Sequence, residues 1–393
     1  MTTKKHHVDT KLGHLGLSPE TNFGIPNPPI YRTSTILSSS MAQHRGDLPK
    51  AYTYGRSGTP TSASFENAVA SIYQADTCIS TCSGLSAIST AILSAIRSGD
   101  HALFPDSLYG SSRRFVTTLL SDLGVEVTFY PPRCNSGITE YFMENTRLLY
   151  LESPGSLTFE LQDLPSMTML AKKHNIITIC DNTWGTALHY PVLELGADIV
   201  VEAATKYIAG HSDVNLGIAA ANGSQGRKLK KTARNFGICA GPEDLYLGLR
   251  GLRTMRLRLE QSEANGLMLA RLLAKHPLVL DVLHPALDSS PDHELYKRDF
   301  SGSCGLFGFV LPETIAQERL DKAVEGMNIF AIGDSWGGYE SLLIPCDHQL
   351  TRSKDSWTAS RAGPLLRIHV GLEAVSDLKA ELDSAFAALK GPA

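Results

Sequence analysis

The chain has 393 residues, of which 42% are hydrophobic and 19% charged, a composition that is typical of globular proteins and excludes a disordered or fibrous chain. Its 36 Lys and Arg residues nearly balance its 40 Asp and Glu residues, for a formal net charge of −4. A dedicated nucleic-acid-binding protein would carry a clustered basic excess, so we expect no nucleic-acid partner.

The first 56 residues predict an extended arm. Pro26, Pro28 and Pro29 interrupt any helix there, and the Ser/Thr-rich run at 33–40 lacks apolar periodicity. An arm of this length cannot bury a core of its own. We therefore expect residues 1–56 to lie on a neighbouring subunit.

From residue 57 to about 250, helical and β-rich patterns alternate along the chain. Helices are predicted at 63–73, 86–96 and 111–122, the last of them ending before Gly124. Short strands are predicted at 101–104, 125–130, 147–151, 176–180 and 199–202. This alternation predicts an α/β domain in which a mainly parallel sheet lies between two helical layers. Such sheets bind ligands beyond the carboxyl ends of their strands.

A long helical pattern at 244–276 links this domain to a smaller C-terminal unit, assigned to residues 251–393. The unit combines further helical patterns with strand candidates at 306–310 and 365–370. We therefore expect a smaller α+β domain after residue 250.

Cysteine usage and hydropathy bear on location. The seven cysteines are scattered and include no CxxC pair, which favours reduced thiols over a disulfide framework or a metal site. No apolar run approaches the roughly 18 residues of a membrane span, and no apolar segment follows the basic N-terminal residues as it would in a secretory signal. We expect a soluble, cytoplasmic protein with no membrane partner and no metal.

An acidic residue and a lysine are predicted to lie at one edge of the sheet. Asp181 ends an apolar strand, and the gap to Lys206 fits one helix and one strand. Pyridoxal phosphate needs such a pair, because a carboxylate keeps its ring nitrogen protonated and a lysine amine forms a Schiff base with it. Many α/β domains carry Asp and Lys at strand ends, so this pattern alone leaves a purely structural role open.

A possible phosphate site precedes the second predicted helix. Gly84 and Leu85 stand at its start, where backbone N–H groups and the helix dipole can hold an anion. Thr205, next to Lys206, adds a hydroxyl group. A Ser-Gly pair before a helix is also an ordinary helix cap, so these residues are suggestive only in combination.

Seven motifs in order along the chain carry a family resemblance. They are YTYGRSGTPT (52–61), TCSGLSAI (81–88), DSLYG (106–110), LESPGSLTFE (151–160), CDNTW (180–184), AATKYIAGHSD (203–213) and SWGGYESL (335–342). Together they resemble the cysteine/methionine-metabolism family of pyridoxal-phosphate enzymes, and the closest branch looks like cystathionine β-lyase. The resemblance runs from HLG (14–16) to RIHVGLE (367–373). It implies the fold-type-I architecture of pyridoxal-phosphate-dependent transferases and a homo-oligomer, either a dimer or a dimer of dimers.

The resemblance also implies roles for residues around the cofactor. Lys206 would be the Schiff-base lysine and proton shuttle, Asp181 would pair with the ring nitrogen, and Tyr109 would stack on the ring. The phosphate would be held within one subunit by Gly84, Leu85 and Thr205.

Further residues are implied at the subunit boundary and around the substrate. Tyr54 and Arg56 would reach the phosphate of the neighbouring subunit. Arg367 would hold the substrate α-carboxylate in a two-pronged contact, helped by Ser335 and Trp336.

Four positions depart from the pattern of cystathionine β-lyases. Ser57 stands where YGRRGT usually has a second arginine, and Asp334 where a tyrosine usually precedes SWGGYES. Glu202 replaces a usual glutamine and Asn215 a usual apolar residue; whether these two face the site is left open. The resemblance places Ser57 and Asp334 near the substrate tail, where a positive charge is lost and a negative one gained. A cationic tail should then bind better than an anionic one, unless Asp334 turns to solvent and the changes are neutral.

We therefore expect a pyridoxal-phosphate-dependent lyase that eliminates a β- or γ-substituent from an amino acid. The favoured substrate has a cationic tail, as in canavanine cleaved at the γ position. The alternative is cystathionine β-lyase, which releases homocysteine, pyruvate and ammonia. A γ-replacement synthase and a non-catalytic cofactor-binding protein are weaker candidates.

Overall fold

The computed structural model describes residues 6–352 and 363–390. Eleven strands in these ranges form a seven-stranded and a four-stranded sheet. The strands of the larger sheet are Thr77–Thr81 (β1), His101–Pro105 (β2), Glu126–Tyr130 (β3), Thr146–Glu152 (β4), Ile177–Asp181 (β5), Ile199–Glu202 (β6) and Gly217–Ala221 (β7). Those of the smaller sheet are Asp281–Leu283 (β8), Leu306–Val310 (β9), Leu342–Pro345 (β10) and Leu365–His369 (β11).

The α-helices cover both faces of the larger sheet and one face of the smaller. They are Val8–His14 (α1), Met41–Arg45 (α2), Pro60–Ile72 (α3), Gly84–Ala95 (α4), Gly110–Phe115 (α5), Leu164–Lys173 (α6), Thr186–His189 (α7), Gly223–Phe236 (α8), Pro242–Leu252 (α9), Met255–Leu273 (α10), His293–Asp299 (α11), Gln317–Glu325 (α12) and Val375–Leu389 (α13). Among the described helices, none combines the length and the apolar character that crossing a bilayer requires.

The larger sheet has the order β1-β7-β6-β5-β4-β2-β3. Its pairs from β3 through β2, β4 and β5 to β6 are parallel, and only β7 runs antiparallel to its two neighbours. On β4, Leu148 and Tyr150 belong to the core cluster that includes side chains of α4 and α8, whereas Leu149 and Leu151 belong to the one with α3 and α6. Successive side chains thus bury opposite faces. The predicted three-layer α/β fold with a mainly parallel sheet is confirmed.

The smaller sheet, ordered β10-β11-β9-β8, is antiparallel throughout. Phe307, Phe309 and Ile368 are buried in one apolar cluster together with Leu320 of α12 and Leu382 of α13. This arrangement matches the smaller α+β unit expected after the cofactor domain. The boundary at residue 250 remains a prediction, and it falls inside α9.

Most predicted elements occur within three residues of their predicted bounds, but two helical patterns are more complex. The pattern at 244–276 is two helices, α9 and α10, separated by Arg253 and Thr254. The helix predicted at 111–122 is α5 followed by a π-helical turn at Val116–Leu120. The pattern does not predict the strand β7, because four of the five residues in its sequence GIAAA are glycine or alanine, which are depleted in strands.

The prediction of a wholly extended arm is wrong at its start. Helix α1 packs on α3 of its own chain, with Leu12 only 2% exposed. The Arg253 guanidinium anchors it by donating hydrogen bonds to the carbonyls of Leu12 (3.3 Å) and Leu15 (3.1 Å). The hydrogen bonds from Arg253 and the burial of Leu12 therefore hold α1 against its own subunit. Farther along, Phe23 is 97% exposed, and contact of that part with a neighbouring subunit remains a prediction.

Candidate active site

Three acidic residues end three neighbouring strands at the carboxyl edge of the larger sheet. Glu152 ends β4, Asp181 ends β5 and Glu202 ends β6, and Glu152 is the direct register partner of Asp181. All three side chains are buried. The parallel topology therefore gathers three carboxyl groups at the edge where sheets of this class bind ligands.

Asp181 is held by neighbours that favour its ionised form. Its Oδ1 accepts hydrogen bonds from the Thr183 backbone N–H (3.0 Å) and the Thr183 hydroxyl (2.6 Å), and its Oδ2 accepts one from the Tyr150 hydroxyl (3.4 Å). Burial raises the pKa of Asp181, and these hydrogen bonds oppose that rise. A buried carboxylate of this kind is stabilised by a cation placed against it, as a protonated ring nitrogen would be.

Lys206 lies in the turn after β6, and its side chain is half-buried. The Nζ atom donates a hydrogen bond to the Ser335 hydroxyl and lies 5.3 Å from the centre of the Trp336 ring. Burial lowers the pKa of Lys206 to about 8; the Arg367 charge acts in the same direction and Asp334 opposes it. A substantial fraction of the amine is therefore neutral near physiological pH, as a nucleophile or base must be.

A tight turn brings the C-terminal domain against Lys206. Ser335 (φ 74°) and Gly337 (φ 81°) both have left-handed backbones, and a Cβ on Gly337 would lie 3.0 Å from the Lys206 Cα. The Arg367 guanidinium donates hydrogen bonds to the carbonyls of Ser335 (3.1 Å) and Gly333 (3.4 Å). The structure thus brings together Lys206, Ser335, Trp336 and Arg367 from two domains.

The start of α4 lies beside the turn after β6, which carries Lys206. Gly84 and Leu85 are its first two residues, and a Cβ on Gly84 would lie 2.6 Å from the Cβ of Ala203, so only glycine permits this approach. The Thr205 hydroxyl is fixed close by, donating to the Leu216 carbonyl (3.1 Å) and accepting from the Leu216 N–H (2.9 Å). The backbone N–H groups at the start of α4 could therefore hold a phosphate, whereas the Thr205 hydroxyl already donates its single hydrogen to Leu216.

Tyr109 stands at the mouth of this site, immediately before α5. Its backbone N–H donates a hydrogen bond to Glu152 Oε2 (3.0 Å), while its side chain is 45% exposed. Tyr109 also acts on Arg367, since it is among the groups that oppose the lowering of the Arg367 pKa by burial. A ring in this place can cover a planar cofactor from the solvent side.

Tyr54, Arg56 and Ser57 lie elsewhere on the chain. Arg56 donates a hydrogen bond to the Arg234 carbonyl (3.3 Å), and all three residues line a cavity of about 570 Å³ between the arm and α8. Within the described ranges, neither Lys206 nor Asp181 lines that cavity. One chain alone therefore does not bring these residues to the lysine, which is the arrangement expected if they serve a neighbouring subunit.

The other three departures from the family pattern differ in their exposure to solvent. Asp334 is exposed, and its Oδ1 accepts a hydrogen bond from Gln349 Nε2 (3.4 Å). Its charge acts on the pKa values of both Lys206 and Arg367, so it borders the site. Asn215 is exposed, whereas Glu202 is buried beneath the site.

Sequence reasoning missed Glu152, Tyr150 and Thr183. Thr183 holds Asp181, and Glu152 fixes the backbone of Tyr109. A signal was present for two of them. Thr183 follows Asp181 by two residues, the spacing at which an Asp accepts from a nearby backbone N–H, and Glu152 directly follows the strand predicted at 147–151.

Comparison with known proteins shows which family the chain belongs to. The family model described as Cys/Met metabolism PLP-dependent enzyme matches residues 9–387. The chain is 41% identical over 384 residues to a putative cystathionine beta-lyase of Rhizobium johnstonii, covering 97% of this chain and 96% of the relative. It is 36% identical over 394 residues to cystathionine beta-lyase MetC of Escherichia coli, covering 98% and 99% of the two chains.

A solved structure extends the likeness to the fold. The structure of cystathionine gamma-lyase from Lactobacillus plantarum, complexed with L-serine, superposes with a TM-score of 0.91 at 27% identity. The match covers 98% of this chain and 100% of that one. A buried carboxylate, a lysine with a lowered pKa and a helix N-terminus fit the ring nitrogen, the carbonyl carbon and the phosphate of pyridoxal phosphate. The chain therefore belongs to the Cys/Met metabolism family of pyridoxal-phosphate-dependent enzymes and is a lyase of fold type I.

Proposed function

We propose that this lyase acts on an amino acid with a cationic distal tail and that canavanine, cleaved at the γ position, is its substrate. The observation that carries the proposal is Asp334, whose negative charge borders both Lys206 and Arg367. A guanidinium-type tail can make a charge-assisted contact with such a carboxylate, whereas the second carboxylate of cystathionine would be repelled by it. With Ser57, the chain offers no compensating cation at the position where the family pattern has arginine.

The proposed roles of the side chains follow from their surroundings. Arg367, oriented by the carbonyls of Gly333 and Ser335, would bind the substrate α-carboxylate, and Asp181 would stay ionised against the ring nitrogen. The neutral amine of Lys206 would then take the α-proton and carry it onward, with Ser335 steering the Nζ atom. When bound, the cofactor supplies the electron sink that makes removal of this proton possible.

The overall reaction balances without an oxidant or reductant. Canavanine and one water give hydroxyguanidine, 2-oxobutanoate and ammonia when the γ-substituent leaves. The second candidate is cystathionine β-elimination, which the printed names of the Rhizobium johnstonii and Escherichia coli relatives favour. A γ-replacement synthase would use the same residues and ranks third.

The substitution Asp334→Asn tests the tail preference, because it keeps the shape of the side chain and removes its charge. A hydrogen bond to a charged group contributes about 1.5–3 kcal/mol, so kcat/KM for canavanine should fall roughly 10- to 150-fold. For a neutral-tailed amino acid it should change little. The measurement is steady-state kinetics with both substrates.

Two variants sharpen this comparison. Asp288→Asn makes the same charge change at a fully exposed side chain and should leave both rates unaltered. Ser57→Arg combined with Asp334→Tyr should move the preference toward cystathionine. If the unmodified enzyme cleaves cystathionine faster than canavanine and Asp334→Asn changes neither rate, the cationic-tail proposal is wrong and the β-lyase takes its place.

We also propose that the active site is shared between subunits of a homodimer or a dimer of dimers. Arg56 and Lys206 should then act in different chains of one site, since Arg56 lies in a cavity that Lys206 does not line among the described residues. Mixing inactive Arg56→Ala and Lys206→Ala enzymes should restore activity, because each hybrid dimer contains one intact site. The measurement is turnover after subunit exchange has been verified by mass. An exchanged mixture as inactive as its parents would contradict the shared site.

The state of the cysteines supports the proposed cytoplasmic location. All seven are free thiols, and Cys78, Cys180, Cys304 and Cys346 are buried. Burial raises the pKa of each of these four thiols, which keeps them unreactive. Free thiols without any disulfide are typical of reducing compartments.

A further inference from the structure

A second buried acid lies one strand away from Asp181. Glu202 ends β6 with only 1% of its surface exposed. The Tyr73 hydroxyl donates a hydrogen bond to Glu202 Oε2, and Asn182 Nδ2 donates one to the Tyr73 oxygen (3.3 Å). Glu202 Oε1 is buried and has no hydrogen-bond partner among the described residues. This oxygen is therefore aimed into the protein without a donor to stabilise a charge on it.

The surroundings of Glu202 disfavour a second negative charge. The titratable groups that act on it, or on which it acts, are Tyr73 at the end of α3, Asp181 on β5 and Cys78 on β1, and each of them is neutral or negative. Burial is the largest cause that raises the pKa of Glu202, to about 8; the Asp181 charge adds to it and the Tyr73 hydrogen bond opposes it. Two neighbouring buried acids seldom ionise together.

We propose that Glu202 holds a proton at neutral pH, so that its carboxyl group adds no second negative charge beside Asp181 at the place of the cofactor ring nitrogen. The protonated acid keeps the Tyr73–Asn182 network in place without adding charge. Above its midpoint Glu202 loses this proton, and a second negative charge then acts on the ring nitrogen. The inference rests on the proposed pairing of Asp181 with that nitrogen.

Infrared difference spectroscopy of the holoenzyme reads the proton on Glu202 directly, because a protonated carboxyl group has its own C=O band. Wild type minus Glu202→Gln should show one such band at pH 7, and the band should vanish as the pH rises through about 8. In Tyr73→Phe the band should persist to a higher pH, by about one unit, because the hydrogen bond that favours the ionised form is gone.

A control is available in Glu66, a half-buried acid whose pKa is raised by burial and which accepts hydrogen bonds from Ser80. Glu66→Gln should leave the Glu202 band and its midpoint unchanged. A pH titration of the visible cofactor absorbance supplies a second readout: wild type should show a step near pH 8 that Glu202→Gln lacks.

The proposal is overturned if wild type and Glu202→Gln have the same protonated-carboxyl bands at pH 7, since Glu202 would then be ionised. It is also overturned if the midpoint of the band is the same in wild type and in Tyr73→Phe. This second comparison can still be made if Glu202→Gln fails to fold. None of these measurements requires substrate. A negative infrared result would therefore not contradict the proposed preference for a cationic tail. A lack of canavanine cleavage would not contradict the proposed protonation of Glu202.

Discussion

Lys206→Ala should lower turnover by at least about 10⁴-fold, because a single amine would both anchor the cofactor and move the α-proton. The amine suits this work, since burial lowers its pKa to about 8 and the Ser335 hydroxyl directs it. Single-turnover and steady-state rates measure the loss. Lys228→Ala, which removes an exposed lysine on α8, is the matched control and should keep wild-type activity.

Chemical trapping identifies the same lysine independently of rate. Borohydride should bleach the visible absorbance of the holoenzyme and fix the cofactor on one peptide, the one that contains Lys206. Lys206→Ala should give no such adduct. A reduced adduct mapped to any other lysine would contradict the assignment.

Asp181→Asn should reduce kcat by about 10²–10³-fold, the usual range for losing one preorganised electrostatic contact in an active site. The amide keeps the volume of the side chain but carries no charge to hold a proton on the ring nitrogen. Thr183→Val removes the hydrogen bond that the Thr183 hydroxyl donates to Asp181 (2.6 Å) and the one that it accepts from the Ala203 N–H (3.0 Å). Because Asp181 itself is kept, this variant should lower kcat much less. Kinetics and the visible spectrum of the bound cofactor provide the measurement.

An exposed acid serves as the control for this prediction. Asp122→Asn changes the same functional group at an exposed position, and it should leave both kcat and the cofactor spectrum unaltered. A wild-type spectrum and a kcat within about twofold in Asp181→Asn would exclude the proposed role, because removal of a catalytic contact in a dry site has a far larger effect.

Much of the fold could be predicted from local pattern. Apolar runs of four to six residues separated by helical periods specify buried parallel strands, and β5 and β6 appear at or within one residue of their predicted bounds. The strand β7 could not be predicted in this way, because its alanines carry little strand preference and its place depends on pairing with β1 and β6. The packing of α1 on its own chain could not be predicted either, since it depends on Arg253, which lies far along the chain.

A site residue could be predicted from the sequence where an ionisable side chain stands at the end of a predicted strand, as Asp181 does. Glu202 and Asn215 both depart from the family pattern, and the sequence does not indicate which of them is buried. In the structure Glu202 is buried and Asn215 is exposed. The partner of Glu202 is Tyr73, at the end of a distant helix, and no local pattern specifies such a contact. The roles of Tyr54, Arg56 and Ser57 depend on a second chain and remain predictions.

The most direct measurement offers the purified holoenzyme equal concentrations of canavanine, cystathionine and arginine and identifies the products by mass. The account predicts hydroxyguanidine and 2-oxobutanoate from canavanine at the highest kcat/KM. Arginine should stay unchanged, because the substituent on its γ carbon is attached by a carbon–carbon bond and is a far poorer leaving group than the oxyguanidine. Homocysteine and pyruvate from cystathionine as the main products, with canavanine untouched, would contradict it.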